Sequence, residues 1–189
     1  MTNKKNKIII ALASHIGAGK GVVGDYIIKK YKADRKKFSD CLGDIADRCY
    51  LEKNRTNLQG ISTALRGFYG EDFLSNILLQ DISKSKSKIV IIDGVRRKGD
   101  INKFINLPNF YLIFIDANLK LRYQRLLQRL EKPDEKNKSF KEFKIDNNNE
   151  AGKQIDALKP LSNFVIKNNK DLAYLYNQVD NILNKVKKG

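Results

Sequence analysis

Residues 8–23 read Ile-Ile-Ile-Ala-Leu-Ala-Ser-His-Ile-Gly-Ala-Gly-Lys-Gly-Val-Val. The first six are apolar without interruption, which is typical of a strand covered on both faces of a parallel sheet. A glycine-rich turn follows, then Lys20, and then a helical pattern over about residues 21–31. A buried strand that runs into a glycine-rich loop and a helix predicts a phosphate-binding loop.

This loop offers several donors to a phosphate. Glycines allow backbone N–H groups to turn inward around phosphate oxygens, and the helix N-terminus adds a partial positive charge. Lys20 is placed to reach the β- and γ-phosphates of a nucleotide. The match to G-x-x-x-x-G-K-[ST] is incomplete, because Ser14 replaces the first glycine and Gly21 replaces the hydroxyl residue that binds Mg²⁺. The alternative is an ordinary strand-to-helix turn with a surface lysine.

We assign nucleotide binding to eight residues of this loop: His15, Ile16, Gly17, Ala18, Gly19, Lys20, Gly21 and Val22. His15 occupies a variable position in such loops, so we expect it to contribute through its backbone rather than by catalysis.

Four other segments predict the rest of a sheet. Residues 89–92, 110–115 and 164–166 are short apolar runs, and a weaker fifth strand ends near Phe38. Helical patterns lie between them, with capping boxes at residues 56–59 and 139–142 and further caps at Asn118 and Asn169. Strands alternating with helices indicate one three-layer α/β/α domain over residues 1–189, with a mostly parallel five-stranded sheet.

Composition excludes several classes of protein. No segment approaches the roughly 20 apolar residues of a membrane span, and the apolar run after the basic N-terminus is too short for a secretory signal. Cys41 and Cys49 lie eight residues apart without a Cys-x-x-Cys pair, and the chain has one histidine, so a zinc site is not supported. We therefore expect reduced thiols and a cytoplasmic protein.

The net charge is +16, with 28 lysines but only 9 arginines. Lysine, asparagine and isoleucine are all abundant and have A/T-rich codons, so we attribute the excess mainly to codon composition, with a selected basic surface as the alternative. We do not expect a nucleic-acid partner, because the sequence has no basic stripe interleaved with aromatic residues.

Arginine is rare enough here for its positions to be informative. Its planar fork makes bidentate contacts to phosphate that lysine cannot copy. Arg122, Arg125 and Arg129 recur at i, i+3 and i+7, so they share one face of a helix. They predict either a phosphate-binding face or a solvated cationic face.

Two aspartates are candidates for the reaction centre. Asp93 ends an apolar strand and is placed to polarise a water on Mg²⁺, although it could instead be a turn or cap residue. Asp40 could contact the sugar of an acceptor or act as a base for a hydroxyl acceptor. It could equally supply the N-terminal charge of the following helix.

At these positions the chain resembles a known family. Its Gly-x-Gly-Lys-Gly loop, residues 17–21, resembles that of the nucleoside monophosphate kinases. Residues 93–96, Asp-Gly-Val-Arg, look like their Asp-Gly-x-Pro-Arg segment without the proline. Residues 38–40, 54–59, 64–66 and 164–169 are similar to a deoxynucleoside monophosphate kinase-like and dephospho-coenzyme-A kinase-like group. The resemblance spans about residues 8–183.

The resemblance implies a P-loop NTPase fold, ATP and Mg²⁺ as cofactors, acceptor-binding helices at about 39–86 and a short helical lid at about 119–150. Within the lid we expect a mobile polar segment at residues 132–138. It implies lid contacts to the nucleotide from Arg122, Arg125 and Arg129. It implies acceptor contacts from Ser39, Asp40, Arg55, Gln59, Arg66, Asp93 and Arg96. The catalytic set is then Lys20, Asp40, Asp93, Arg96 and Arg125, with Asp93 holding the metal through water.

The function we expect is ATP-dependent phosphoryl transfer to a small nucleotide, with a (deoxy)nucleoside monophosphate as acceptor and its diphosphate as product. One alternative is dephospho-coenzyme-A kinase-type transfer to a ribose hydroxyl, for which Asp40 would be the base. Others are a nucleic-acid-directed P-loop protein and a nucleotide-binding regulator without transfer activity. The sequence is compatible with an oligomer.

Overall fold

The computed structural model describes residues 7–129 and 138–188. The mobile segment expected at residues 132–138 lies, apart from Lys138, outside the described residues, and so does the side chain of Arg129.

Five strands form one sheet in the order β2-β3-β1-β4-β5, and every neighbouring pair is parallel. They are β1 (Ile8–Ser14), β2 (Asp34–Lys37), β3 (Ile89–Asp93), β4 (Phe110–Asp116) and β5 (Phe164–Lys167). The predicted α/β class and parallel five-stranded sheet are confirmed.

Eight α-helices flank the sheet within the described residues. They are α1 (Lys20–Tyr31), α2 (Phe38–Arg48), α3 (Arg55–Tyr69), α4 (Phe73–Lys84), α5 (Leu119–Arg129), α6 (Phe140–Asn147), α7 (Glu150–Asp156) and α8 (Leu172–Val186). None of the helices described is both long and apolar enough to cross a bilayer.

Alternate residues of β1 belong to two separate cores. Ile9 and Ala11 pack with the buried residues of α2 and α4, whereas Ile10 and Leu12 pack with those of α1 and α8. Because successive side chains of a strand point to opposite faces, an apolar run without alternation is what a strand between two helical layers requires. The three-layer arrangement follows from this pattern.

The register of the sheet brings the ends of β2 and β3 together. Lys37 lies beside Asp93, so the chain that enters α2 starts next to the loop that follows β3. Phe38 begins α2 directly after the last residue of β2, and its ring is buried in the core that α2 shares with α4. The carboxyl ends of parallel strands are the edge where α/β proteins present ligands.

Three of the predicted helix starts can be compared with the structure. Ser139 caps α6 with the predicted capping box. By contrast, Asn54 rather than Thr56 caps α3, and Asp171 rather than Asn169 caps α8. The side chain of Asn169 instead accepts a hydrogen bond from the backbone N–H that precedes α5, at 2.8 Å.

Candidate active site

The loop after β1 is held by two glycines with left-handed backbone. Gly17 has φ of 77° and Gly19, which precedes α1, has φ of 100°. A Cβ at Gly17 would overlap the backbone oxygen of Arg122, and one at Gly19 would overlap the side-chain amide of Asn168. Both positions therefore need glycine for backbone conformation and for space. The result is a tight turn whose backbone leads into the N-terminus of α1.

Lys20, the first residue of α1, donates a hydrogen bond to Oδ1 of Asp93 at the end of β3. Burial acts to raise the pKa of Asp93, but the hydrogen bond and charge of Lys20, together with the charge of Arg35, outweigh it and hold that pKa below its ordinary value. Asp93 is therefore ionised at neutral pH. A phosphate that entered the loop would compete with this carboxylate for Lys20.

Arg35 on β2 also lies at Asp93, and the sequence reasoning missed it. Its Nη2 donates to Oδ1 of Asp25 at 2.7 Å, and its Nε lies 4.0 Å from Oδ2 of Asp93. This Nε is buried and has no hydrogen-bond partner among the described residues. The available signal was the position of Arg35 on a weak strand, since pairing that strand with β3 places it near Asp93.

Asn168, which follows β5, joins the loop to α5. Its side chain donates to the backbone oxygen of Ala18 at 2.8 Å, and its backbone oxygen accepts from Nη1 of Arg125 at 3.0 Å. Asn168 is buried, with 5% of its surface exposed. It belongs to a stretch that resembled the kinases, but no site role was predicted for it.

A cavity of about 360 Å³ opens beside the loop. Its lining includes Gly19, Val22, Arg125, Asn168, Lys170 and Leu172. The lining therefore combines apolar side chains with amides, two cationic side chains and the carboxylate of Asp171. Arg125 and Val22, both predicted to contact the nucleotide, are brought together here.

The guanidinium of Arg122 binds groups of the protein itself. Arg122 is buried, and its guanidinium donates to the backbone oxygens of Ala117 and Ile16 and to Oδ1 of Asn147 on α6. Burial lowers the pKa of Arg122 from its usual value. The side chain of Arg122 therefore ties the loop to the end of β4 and to α6, and its contact to the nucleotide stays a prediction.

The proposed acceptor residues lie along the edge formed by α2, α3 and the loop after β3. Asp40 stands in the first turn of α2, where its carboxylate accepts the backbone N–H of Lys37 at 2.9 Å. Arg96 is exposed, and its side chain makes no hydrogen bond with another described residue. Ser39, Arg55 and Gln59 are also exposed.

Comparison with known proteins identifies the family. No family model matches the chain. A UPF0200 protein of Sulfurisphaera tokodaii is 31% identical over 127 residues, which span 67% of this chain and 68% of that protein. The chain belongs to the UPF0200 family. A UPF0200 protein of Methanocaldococcus jannaschii is 27% identical over 181 residues, which span 95% of this chain and 90% of the relative.

Solved structures share the fold of this UPF0200 protein. Shikimate kinase from Bacteroides thetaiotaomicron superimposes with a TM-score of 0.62 at 16% identity, covering 95% of this chain and 98% of the kinase. A gluconokinase from Sinorhizobium meliloti gives a TM-score of 0.57 at 11% identity, covering 98% of this chain and 96% of the gluconokinase. The chain therefore shares the fold of these two kinases.

Arg66 of the UPF0200 protein does not lie open to an acceptor. It is 7% exposed, its Nη2 donates to Oδ1 of Asp100 at 2.9 Å, and its Nη1 donates to the backbone oxygen of Glu71 at 2.6 Å. The other oxygen of Asp100 accepts the backbone N–H of Arg96 at 2.9 Å. Arg66 thus holds the loop that carries Arg96, and its contact to an acceptor phosphate stays a prediction.

His15 links the loop to α7. Its Nε2 lies 2.7 Å from Oδ1 of Asp156, and its ring meets Phe114 edge-on with centroids 6.4 Å apart. The side chain of His15 is therefore engaged with the protein, and the role of its backbone at the nucleotide stays a prediction.

Proposed function

We propose that this UPF0200 protein is a nucleotide kinase that transfers the γ-phosphoryl group of ATP to a (deoxy)nucleoside monophosphate. The observation that carries the proposal is the position of Lys20, which follows the glycine turn and meets the ionised Asp93 at the carboxyl edge of the sheet. The fold shared with proteins named as shikimate kinase and gluconokinase supports phosphoryl transfer in general.

We infer that ATP binds in the loop and in the cavity beside it. The glycine turn and the N-terminus of α1 supply N–H groups to the phosphates, and Lys20 would leave Asp93 for the phosphate oxygens. The cavity then takes the base, since a flat heterocycle suits a lining of Val22, Leu172 and Arg125. The guanidinium of Arg125 is oriented from behind by the backbone oxygen of Asn168.

Mg²⁺ neutralises phosphate charge when it is bound with ATP. Among the described residues no group of three or more His, Cys, Asp or Glu side chains could hold a metal by itself. Gly21 and Val22 supply no hydroxyl after Lys20. Asp93 is therefore the residue that would hold the ion, through a water molecule, while the remaining ligands come from phosphate oxygens and water.

The acceptor site favours a phosphate over a hydroxyl. A monophosphate is already ionised, so the reaction needs positioning and charge neutralisation rather than a base. Asp40, the candidate base, is engaged in capping α2, whereas the side chain of Arg96 extends from the loop after β3 without a described partner. Arg96 would bind the acceptor phosphate as a fork, with Arg55 approaching from the start of α3.

The lid, about residues 119–150, would close over the phosphates and exclude water, which otherwise accepts the phosphoryl group. Its two described helices are held together by contacts of α5 with the start and the end of α6. Tyr123 donates to the backbone oxygen of Lys138 at 2.8 Å, and Arg122 donates to Asn147 at 2.7 Å.

The test is an ADP-release assay with ATP, Mg²⁺ and a panel of nucleoside monophosphates, their deoxy forms and dephospho-coenzyme A. We expect turnover with one or more monophosphates. Lys20→Ala should lower kcat at least about 100-fold, a loss typical of removing one charge-stabilising donor. Lys29→Ala, at the other end of α1, is the matched control and should retain activity.

Two results would count against the proposal. Near-wild-type turnover in a folded Lys20→Ala protein would exclude a role for the loop in transfer. Turnover with dephospho-coenzyme A alone, lost in Asp40→Asn, would favour transfer to a ribose hydroxyl instead.

A further inference from the structure

Lysines are concentrated at the end of the molecule opposite the phosphate loop. Residues 29–32, 84–88 and 185–188 contain nine lysines and no aspartate or glutamate. These segments lie at the C-terminal ends of α1, α4 and α8, at the edge of the sheet where the parallel strands begin. All nine lysines are exposed. The phosphate loop follows β1 at the carboxyl edge, so the two surfaces face away from each other.

Contacts between the three segments make them one surface, which we name the basic edge. The hydroxyl of Ser87 donates to the backbone oxygen of Lys32 at 3.3 Å. The Nζ of Lys187 lies 4.3 Å from the centroid of the Tyr31 ring. The end of α1 therefore contacts both of the other segments.

The charge of the basic edge is largely unneutralised. Among its nine lysines only Lys30 forms an ion pair with a described carboxylate, that of Asp180 at 2.8 Å. Lysines elsewhere pair more often: Lys36 with Asp34, Lys53 with Asp47, Lys103 with Asp72, and Lys159 and Lys167 with Asp116. Asp34 lies next to Ser85 of the basic edge, but it pairs with Lys36 rather than with a lysine of the edge. Codon composition explains why lysine is abundant, but it does not explain why eight of these nine lysines lack an ion pair with a described carboxylate.

The helix dipole accounts for part of the pattern. Cations are favoured at helix C-termini, and the effect falls off within the last turn. Lys29, Lys30, Lys84 and Lys185 lie in such last turns. Lys32 and Lys187 are the C-cap residues of α1 and α8, where the dipole still favours a cation. Lys86, Lys88 and Lys188 lie further from the helix ends, and the dipole does not account for them.

Contrary to the expectation from the sequence, we propose that the basic edge binds the phosphate backbone of a double-stranded nucleic acid. A duplex presents about one negative charge per 1.7 Å of its axis, a density that suits a cluster of exposed lysines. Lysine is a point charge that contacts backbone phosphates without reading bases. The proposal is independent of the proposed kinase function, since it uses none of the residues of that site.

The residue types of the basic edge favour a duplex over other polyanions. Single-stranded nucleic acids are usually held by stacking on aromatic rings, and the one aromatic residue of the three segments, Tyr31, is half-buried beneath Lys187. Stable membrane attachment by basic residues needs a second, apolar anchor. None of the large apolar side chains that are exposed on the described surface belongs to these segments.

The experiment measures the binding of fluorescently labelled 20-base-pair RNA and DNA duplexes by anisotropy across a salt series. The edge variant combines six changes: Lys29→Gln, Lys32→Gln, Lys86→Gln, Lys88→Gln, Lys187→Gln and Lys188→Gln. The matched control changes six exposed lysines elsewhere: Lys98→Gln, Lys103→Gln, Lys120→Gln, Lys141→Gln, Lys144→Gln and Lys153→Gln. Each protein has lost six of the charges that make up the net +16.

We expect the edge variant to bind at least about tenfold more weakly than wild type in low salt. Its log–log salt slope should fall by about 0.9 for each phosphate that the variant no longer neutralises. The control should bind within about threefold of wild type. A variant with Lys→Arg at the same six edge positions keeps the charge and should bind as wild type does. This variant tests the role of charge at these positions even if the Gln variant does not fold.

Three outcomes would overturn the proposal. Equal weakening in the edge variant and the control would show that binding follows net charge alone. Absence of duplex binding by the wild type in low salt would exclude the partner. Tighter binding to phosphatidylserine vesicles than to either duplex would assign the basic edge to a membrane surface.

Discussion

The Nε of Arg35 lies 4.0 Å from Oδ2 of Asp93, while Lys20 occupies Oδ1 of the same carboxylate. One half-buried carboxylate thus lies between two cations that come from different elements, β2 and α1. In the proposed reaction, phosphate oxygens draw Lys20 away from Asp93. Arg35 then remains as the cation that keeps Asp93 ionised and oriented, which makes it a positioning residue.

The first prediction concerns this relationship. Arg35→Gln should lower kcat for transfer by about 10–100-fold, because it removes the positive charge that lies 4.0 Å from Oδ2 of Asp93, and an opposite charge at that distance contributes a few kcal/mol in a partly buried site. The KM for the acceptor should change little, since Arg35 does not line the acceptor edge. Asp25→Asn removes the other, exposed partner of Arg35 and should leave kcat within about twofold. Steady-state ADP release measures both, and equal losses in the two variants would contradict the assignment.

A second prediction concerns Asn168. Asn168→Ala removes the donor to the Ala18 backbone oxygen and leaves that oxygen buried without this partner, so the Kd for ATP should rise about tenfold, measured by calorimetry. Asn177→Ala, at an exposed position of α8, is the control and should bind ATP as the wild type does. Unchanged ATP affinity in Asn168→Ala would show that the loop keeps its shape without this hydrogen bond.

The third prediction separates two acceptors. If the acceptor is a monophosphate, Arg96→Lys should raise its KM by a factor of about 10–150, since the bidentate fork is removed, and should leave the KM for ATP nearly unchanged. Asp40→Asn should be nearly silent, because the amide oxygen can still accept the N–H of Lys37 and cap α2. The opposite ranking of the two variants would move the site to a hydroxyl acceptor.

The sequence predicted best what depends on local pattern. Uninterrupted apolar runs predicted β1, β3 and β4 to within about one residue, because strands between two helical layers need apolar side chains on both faces. The charged strand β2 gave a weak signal, since it is short and lies at the sheet edge. The prediction of Asn169 as a cap was wrong because an equivalent cap, Asp171, lies two residues later.

The candidate site was harder to predict, because it depends on partners distant in sequence. Arg66 looked like an acceptor arginine, but Asp100, 34 residues further on, takes its guanidinium in a buried pair. Arg122 shares a helix face with Arg125, yet only Arg125 lines the cavity. The spacing of arginines along the sequence does not tell whether a guanidinium faces a ligand or binds the backbone of the loop.

The fourth prediction compares two glycines. Gly17→Ala should destabilise the fold by about 1–3 kcal/mol, because the new Cβ would overlap the backbone oxygen of Arg122 in a left-handed conformation. Gly60→Ala, inside α3, meets no atom within 4 Å and should stabilise it by about 0.5–1 kcal/mol. Urea unfolding measures both. A Gly17→Ala protein as stable as wild type would show that the loop shifts freely.

The last prediction concerns pH and the contact between α1 and α8. The carboxylate of Asp180 on α8 accepts hydrogen bonds from Tyr26 and Tyr31 at 2.9 and 2.7 Å, and from Lys30 at 2.8 Å. Burial acts to raise the pKa of Asp180, but these three donors outweigh it and leave the pKa below its ordinary value of 3.8. On Tyr31, burial and the bond to Asp180 raise the pKa to about 12 from 10.

The two shifts act at opposite ends of the pH range. A lowered carboxyl pKa stabilises the fold above the unfolded-state value of about 3.9, and that contribution is lost as pH falls through the folded-state value. A raised phenol pKa stabilises the fold below the unfolded-state value of about 10, and that contribution is lost as pH rises toward 12.

Asp180→Asn should therefore lower the free energy of unfolding by about 1.5–3 kcal/mol between about pH 5 and 9. The difference from wild type should shrink below pH 4 and above pH 10. Asp44→Asn, an exposed carboxylate on α2, should change the free energy by less than about 0.5 kcal/mol throughout. Urea titrations at a series of pH values measure these free energies of unfolding. If Asp180→Asn remained as much less stable than wild type at pH 3 as at pH 7, packing rather than the ionised carboxylate would hold α8 on α1.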